Sequence, residues 1–225
     1  MIFGEKFDKG EQIDTKPGKT DNYRDIKLVE ISKIDAVNFW KSEISIPNAK
    51  EYSMPESELR ERTRDCKENQ FEFDYNQSAD VKSILDKFSE WEDMKLGERE
   101  NICHELARSI GEDLGIEVVP QVRFYDGDIG QYGYYNDQTN CVHINQNELN
   151  DPRETVRTIA HEMRHAYQHF RAEKMETEQD ELYKYNFEHY IPVAHDEHGY
   201  AVNFLDYQGQ MIEAEARAFE NLFEV

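Results

Sequence analysis

The feature that most restricts the fold of this chain is a strongly marked amphipathic helix in its C-terminal half. Asp151 is placed to cap that helix, Pro152 fits the first helical position, and Glu154 follows the cap by three residues, as in a capping box. From residue 156 to residue 170, apolar side chains recur at helical spacing and form one stripe. The sequence therefore predicts a long helix that begins after Asp151 and buries this stripe against a core.

The same helix carries the sequence HEMRH at positions 161–165, which is an HExxH motif. His161 and His165 lie one turn apart on a face away from the apolar stripe, so both imidazoles can reach one metal ion. Zinc lowers the pKa of a bound water to about 7, and Glu162 is placed to accept a proton as water attacks a carbonyl. Two solvated surface histidines are the alternative interpretation of the motif alone.

A third protein ligand is needed for zinc, and the helix predicted over residues 210–223 offers two candidates. Apolar residues at helical spacing give this helix its own buried stripe, and Glu213 and Glu215 flank that stripe on opposite sides. Either carboxylate is suited to ligation, and both also suit a solvated helix surface. The residues alone leave this choice open.

The combination of HEMRHAYQ with the later EAEARAF resembles compact zinc metallopeptidases of the gluzincin type, including small HExxH proteins of bacteria, phages and mobile elements. The resemblance covers residues 80–225 and implies an α+β zincin-like fold. That fold has a small, mostly antiparallel sheet, an active-site helix and a helical C-terminal part. In such proteins the third ligand lies in an ExxA(D/N)-like helix, which implies that Zn²⁺ is held by His161, His165 and Glu213. The position of the Asp or Asn is occupied by Arg217, a departure that affects the hydrogen bond usually made to a ligating histidine.

Patterns upstream of the motif agree with that order of elements. We expect a helix over residues 97–114, a strand over 116–125 and a hairpin over 131–145. One hairpin strand is expected at the sheet edge above the cleft, where an extended peptide could pair with it. Residues 1–79 are treated as a separate charged segment of unknown role. The acidic run at 173–181 is expected to be a solvated helix end or loop, or else a flap that selects basic substrates.

Charge and cysteine content restrict the classes of partner and the cellular compartment that we expect for this protein. The 48 acidic and 26 basic residues give a formal net charge of −22, which repels phosphate backbones and anionic lipid surfaces. Neither nucleic acid nor a membrane is therefore an expected partner, and the expected substrate is a protein or peptide. Three widely spaced cysteines and the lack of a Sec-type signal favour the cytoplasm, with specialised secretion left open.

Two functions follow from these patterns. The first is a zinc-dependent endopeptidase with Glu162 as general base and Tyr207 ranked first among the donors to the carbonyl oxygen, ahead of Tyr200, His195 and His198. The second is a zinc-binding, catalytically silent protein of the same fold that acts in interaction or structure. Cleavage of a peptide that depends on Glu162 would distinguish the first from the second.

Overall fold

The structure is a computed structural model, and it describes residues 51–198 and 200–225. Residues 51 onward belong to one compact unit, whereas residues 1–50 of the predicted N-terminal segment lie outside the described residues. The described part contains three strands and seven α-helices. The helices are α1 (Glu56–Arg62), α2 (Ala79–Lys87), α3 (Leu96–Asp113), α4 (Pro152–Lys174), α5 (Glu178–Glu188), α6 (Phe204–Gln208) and α7 (Met211–Glu220). The strands are β1 (Gln121–Tyr125), β2 (Gly133–Asn136) and β3 (Cys141–Asn145).

The fold is α+β, as predicted, but the expectation of a mostly antiparallel sheet is wrong. The strand order is β1-β3-β2, with β1 parallel and β2 antiparallel to the central β3. The loop from β1 to β2 is long enough to cross the end of β3, so β3 inserts between its two predecessors. Asn145 holds this crossing, since its side chain accepts a hydrogen bond from the Gly127 N–H and donates to the carbonyls of Asp128 and Gln131.

Helix α4 lies at the centre of the described unit. The Asp151 side chain caps it by accepting from the N–H groups of Arg153 and Glu154, and its C-terminal cap residue, Met175, is left-handed. The predicted apolar stripe packs into the main core, between α2, α3 and the inner face of the sheet. The opposite side of α4 meets α5 and α7, so a second, polar face is also enclosed.

Residues 52–66 form a second small core with α5 and the start of α7. Leu59 of α1 is buried there, and the carboxylate of Glu181 accepts hydrogen bonds from the backbone N–H groups of Ser53 and Met54. The N–H of Met211, the first residue of α7, donates to the carbonyl of Thr63. The described residues before position 80 therefore frame the start of α7.

The expectation that the acidic run at 173–181 is solvated is wrong for its last residues. Asp180 and Glu181 are buried in the first turn of α5, where Asp180 forms a capping box with Thr177. Arg171 pairs with Asp180 through two hydrogen bonds, from Nε at 2.8 Å and from an η nitrogen at 2.9 Å. Among the helices of the described residues, none has the length and apolar character needed to cross a membrane.

Candidate metal centre

The fold brings the two motif histidines and Glu213 together where α4 crosses α7. His161 and His165 point their Nε2 atoms at each other across 3.1 Å. Each Nε2 atom also lies 3.7 Å from a carboxylate oxygen of Glu213. Within residues 51–198 and 200–225, these three side chains form the one group of at least three potential ligands whose atoms lie within 4.8 Å of one another.

The spacing suits a tetrahedral zinc ion. Ligand atoms about 2.1 Å from a tetrahedral metal lie roughly 3.4 Å apart. The observed separations of 3.1 Å and 3.7 Å lie on either side of this value. Three protein ligands with a free fourth position are the arrangement found in catalytic zinc sites, whereas structural zinc sites are usually closed by four.

Hydrogen bonds on the far side of each imidazole fix which nitrogen faces the centre. The Nδ1 of His161 is 2.7 Å from an oxygen of Glu220, and the Nδ1 of His165 is 2.9 Å from the side-chain oxygen of Gln168. Because both partners are acceptors, each Nδ1 carries the hydrogen and each Nε2 of a neutral ring presents a lone pair inward. The centre therefore gathers two nitrogen lone pairs and a carboxylate, a set of groups that favours a cation.

Two further properties of these side chains suit the binding of a cation. The Oε2 atom of Glu213 is buried and has no hydrogen-bond partner among the described residues. Burial lowers the pKa of His161, but its contacts with Glu213 and Glu220 outweigh burial and raise that pKa to about 10. A metal ion bound at this centre would take the place of a proton on His161.

Glu162 lies beside this centre and faces the sheet. Its side chain is buried, and the backbone N–H of Tyr135 in β2 donates a hydrogen bond to its carboxylate. Burial raises the pKa of Glu162 above its ordinary value of 4.5. A carboxylate with a raised pKa is a stronger base than a solvated one, which suits proton transfer at neutral pH.

The sequence alone did not decide between Glu213 and Glu215 as the third ligand, and the structure places these two carboxylates in different surroundings. Glu215 is buried away from the histidines and paired with Arg164, whose guanidinium contacts one of its oxygens. Tyr183 donates to the same oxygen at 2.7 Å, and Gln168 donates to the other at 3.0 Å. Glu215 is therefore committed to a structural network, and Gln168 connects that network to His165.

Tyr207, the first-ranked donor, does lie at the centre, whereas the other candidates do not. The Tyr207 hydroxyl interacts with the Glu213 carboxylate. Burial and the nearby Glu213 charge raise the pKa of Tyr207 well above 10.0, so its hydroxyl keeps the proton that it can donate. The three remaining candidates are all exposed, and none belongs to the cluster: Tyr200, His195 and His198.

Sequence reasoning missed two residues of the centre. Tyr190 donates a hydrogen bond to Glu213 at 2.9 Å from a loop 23 residues away, and no motif marks it. Glu220 had a usable signal, because it follows Glu213 by seven residues and so shares its helical face. Arg217, which stands where the resemblance implies an acid, pairs instead with Glu68 at 2.8 Å. Glu220 thus supplies, one turn later, the carboxylate that position 217 lacks.

Comparison with protein-family models, with curated proteins and with solved structures finds no match to this chain. The function therefore has to be argued from the geometry of this centre.

Proposed function

We propose that this protein is a zinc-dependent endopeptidase of zincin-like fold that hydrolyses a peptide bond in a protein or peptide. The observation that carries the proposal is the convergence of two imidazole nitrogens and one buried carboxylate, whose atoms lie within 4.8 Å of one another, beside a second buried carboxylate. The first three groups are zinc ligands of the usual kinds, and Glu162 is the neighbouring base. A surface pair of histidines would need neither the buried acid nor fixed Nδ1 hydrogens.

His161, His165 and Glu213 would hold the ion. Zinc, when bound, supplies Lewis-acid chemistry that polarises a carbonyl and acidifies water. The chain itself supplies the orientation of the ligands. Glu220 and Gln168 keep the imidazoles turned inward, and the buried setting of Glu213 strengthens its attraction for a cation.

Glu162 would act as the general base and then as the general acid. Its carboxylate accepts a proton from the attacking water and then delivers it to the departing amine nitrogen, so the residue ends the cycle unprotonated. The N–H of Tyr135 holds the carboxylate in place for both transfers. Tyr207 and Tyr190 keep protonated hydroxyls near Glu213 and are the candidates to donate a hydrogen bond to the carbonyl oxygen.

The edge of the sheet suggests how a peptide would be held. Asn145 donates to the carbonyl of Tyr132, so Tyr132 and Tyr134 pair with β3 while Gly133 and Tyr135 turn their backbone groups to the free edge. The free edge faces Glu162, which accepts the Tyr135 N–H. An extended substrate would add to this edge by main-chain hydrogen bonds.

The test compares wild-type protein with Glu162→Gln and with Glu105→Gln, which alters the other His-Glu pair of the chain. Zinc content is measured by plasma mass spectrometry and hydrolysis with a mixed peptide library. We expect one zinc per chain in all three proteins. Hydrolysis should fall by roughly 10²–10⁴ in Glu162→Gln and stay unchanged in Glu105→Gln.

Full hydrolysis by Glu162→Gln would refute this mechanism. Bound zinc with no hydrolysis by the wild type would favour the silent, zinc-binding alternative. Loss of zinc in Glu215→Ala but not in Glu213→Ala would refute the ligand assignment.

A further inference from the structure

A cavity lies along the C-terminal half of α4, which follows the two motif histidines. Its helix wall begins at Ala166, directly after His165, and its opposite wall is Tyr135, whose N–H binds Glu162. The hairpin turn after β2 and the segment after α3 close the remaining sides. The lining residues that matter below are Glu117, Tyr135, Asp137, His169, Glu173 and Lys174.

Aromatic rings form one part of the wall. The rings of Tyr135 and His169 lie 5.5 Å apart, and His169 stacks on Phe187 at 3.7 Å. Phe170 forms part of the same cavity. Flat rings of this kind suit the aliphatic stem of a long side chain and the face of a guanidinium group.

The charges around the cavity do not cancel. Glu117 forms an ion pair with Lys174, which leaves Asp137 and Glu173. Neither of these two has an ion-pair or side-chain hydrogen-bond partner in the part of the chain that the structure describes. Both lie close enough to Tyr135 to raise the pKa of its hydroxyl, after burial, which is the larger cause. Two uncompensated negative charges thus flank one aromatic wall.

His169 adds an unused polar group. Its imidazole is half-buried and lines the cavity, and it has no hydrogen-bond partner among residues 51–198 and 200–225. Burial lowers the pKa of His169 to about 3, so the ring is neutral and one nitrogen is a free acceptor. A ring nitrogen that no protein group occupies is available to a ligand that brings an N–H group into the cavity.

We propose that this cavity is a recognition pocket for a cationic side chain, arginine or lysine, of the peptide substrate. The inference rests on the proposed peptidase function and adds the substrate class. Asp137 and Glu173 would pair with the charge, the His169 nitrogen would accept one of its N–H bonds, and the rings would contact the stem. Glu173 lies two turns after His165, about 12 Å along the helix axis. At about 3.3 Å per extended residue, the side chain would belong to a residue within two to four positions of the cleaved bond.

The test measures binding, so it does not depend on turnover. Zinc-loaded Glu162→Gln protein is titrated calorimetrically at 0.15 M salt, which screens the general attraction of an acidic chain. The probes are blocked hexapeptides of alanine, serine and leucine with one arginine at each position in turn. The matched probes carry citrulline, a neutral isostere, in its place. We expect arginine to bind at least tenfold more tightly than citrulline at one position.

Two double variants in the same background locate the effect. Asp137→Asn with Glu173→Gln should reduce the preference to within about twofold. Glu90→Gln with Glu92→Gln removes two exposed charges of the same sign elsewhere and should leave the preference intact.

Equal binding of arginine and citrulline at every position, including undetectable binding of both, would overturn the pocket. A preference for arginine that survives the loss of the Asp137 and Glu173 charges would also overturn the pocket. The same holds for a preference that falls equally in the Glu90→Gln, Glu92→Gln control. A preference without hydrolysis by wild-type protein would refute the peptidase and keep the pocket. Hydrolysis by wild-type protein without a preference for arginine would support the peptidase and refute the pocket.

Discussion

Glu220 should control how tightly the protein binds zinc, although it is not proposed as a ligand. One of its oxygens is 2.7 Å from Nδ1 of His161, and the other accepts from Arg157 at 2.6 Å. Each oxygen of Glu220 therefore accepts a hydrogen bond, one from His161 and the other from Arg157. A change to Glu220→Gln keeps the shape of the side chain but replaces one acceptor by an NH₂ group. Because Arg157 is always charged, it should keep the remaining oxygen, and the NH₂ group would then face His161.

The size of the effect follows from that mismatch. An imidazole that faces an NH₂ group favours the tautomer with its hydrogen on Nε2, which points into the centre and blocks ligation. A hydrogen bond to a charged partner contributes about 1.5–3 kcal/mol. Loss of a carboxylate partner of a ligating histidine typically costs 10–100-fold in metal affinity, or about 1.4–2.7 kcal/mol. We therefore expect zinc affinity to fall by one to two powers of ten.

The assay is competition for zinc against a chromophoric chelator at pH 7.5. Glu154→Gln is the matched control, because Glu154 lies on the other side of Arg157 at 3.6 Å and is more than one-third exposed. It removes the same charge near the same arginine without touching His161, so its affinity should stay within about twofold of the wild type. If Glu220→Gln also stayed within twofold, the argument that Glu220 orients His161 would be refuted.

Two further predictions concern the surroundings of the centre. Burial raises the pKa of Asp180, but hydrogen bonds from Arg171 and from two backbone N–H groups outweigh burial and hold that pKa below 3.8. A lowered folded-state pKa stabilises the protein above pH 3.8, and this stability is lost as the pH falls through the folded-state value. Asp180→Asn should therefore cost about 2–3 kcal/mol in urea unfolding at pH 6 and much less at pH 3, and an equal cost at both pH values would contradict this. Gly133→Ala would place a Cβ 2.6 Å from the His143 carbonyl oxygen, so we expect a loss of about 1–3 kcal/mol and weaker peptide hydrolysis, whereas unchanged stability would show that β2 shifts freely.

Local signals were enough to place the helices of the site. The cap and first turn of α4 predicted its start at Pro152, since these features act within a few residues, and the apolar stripe to residue 170 covers most of the helix that ends at Lys174. The helix expected over 97–114 is observed as Leu96–Asp113, and the one over 210–223 as Met211–Glu220. Helical faces then placed His161 and His165 on one side without any tertiary information.

Long-range pairing was less predictable. The strand expected from residue 116 begins only at Gln121, directly after Pro120, which cannot donate a ladder hydrogen bond. The parallel pairing of β1 with β3 depends on a loop that crosses β3, and alternation of apolar residues does not encode which neighbour a strand chooses. The burial of Asp180 and Glu181 likewise depends on partners distant in sequence, Arg171 and Ser53 among them.

The position of Glu220 has a consequence for how such centres are recognised in sequences. A pattern that demands an acid four residues after the proposed ligand Glu213 rejects this chain, because that position is Arg217. Positions four and seven after a helical residue lie only about 60° apart around the axis, so an acid at either one can approach the same imidazole. A search rule written for a helical face, with an acid accepted at either position, would retain chains whose supporting carboxylate has moved by one turn. A linear motif specifies one sequence position for the acid, whereas a rule based on the helical face specifies where its carboxylate must lie in space.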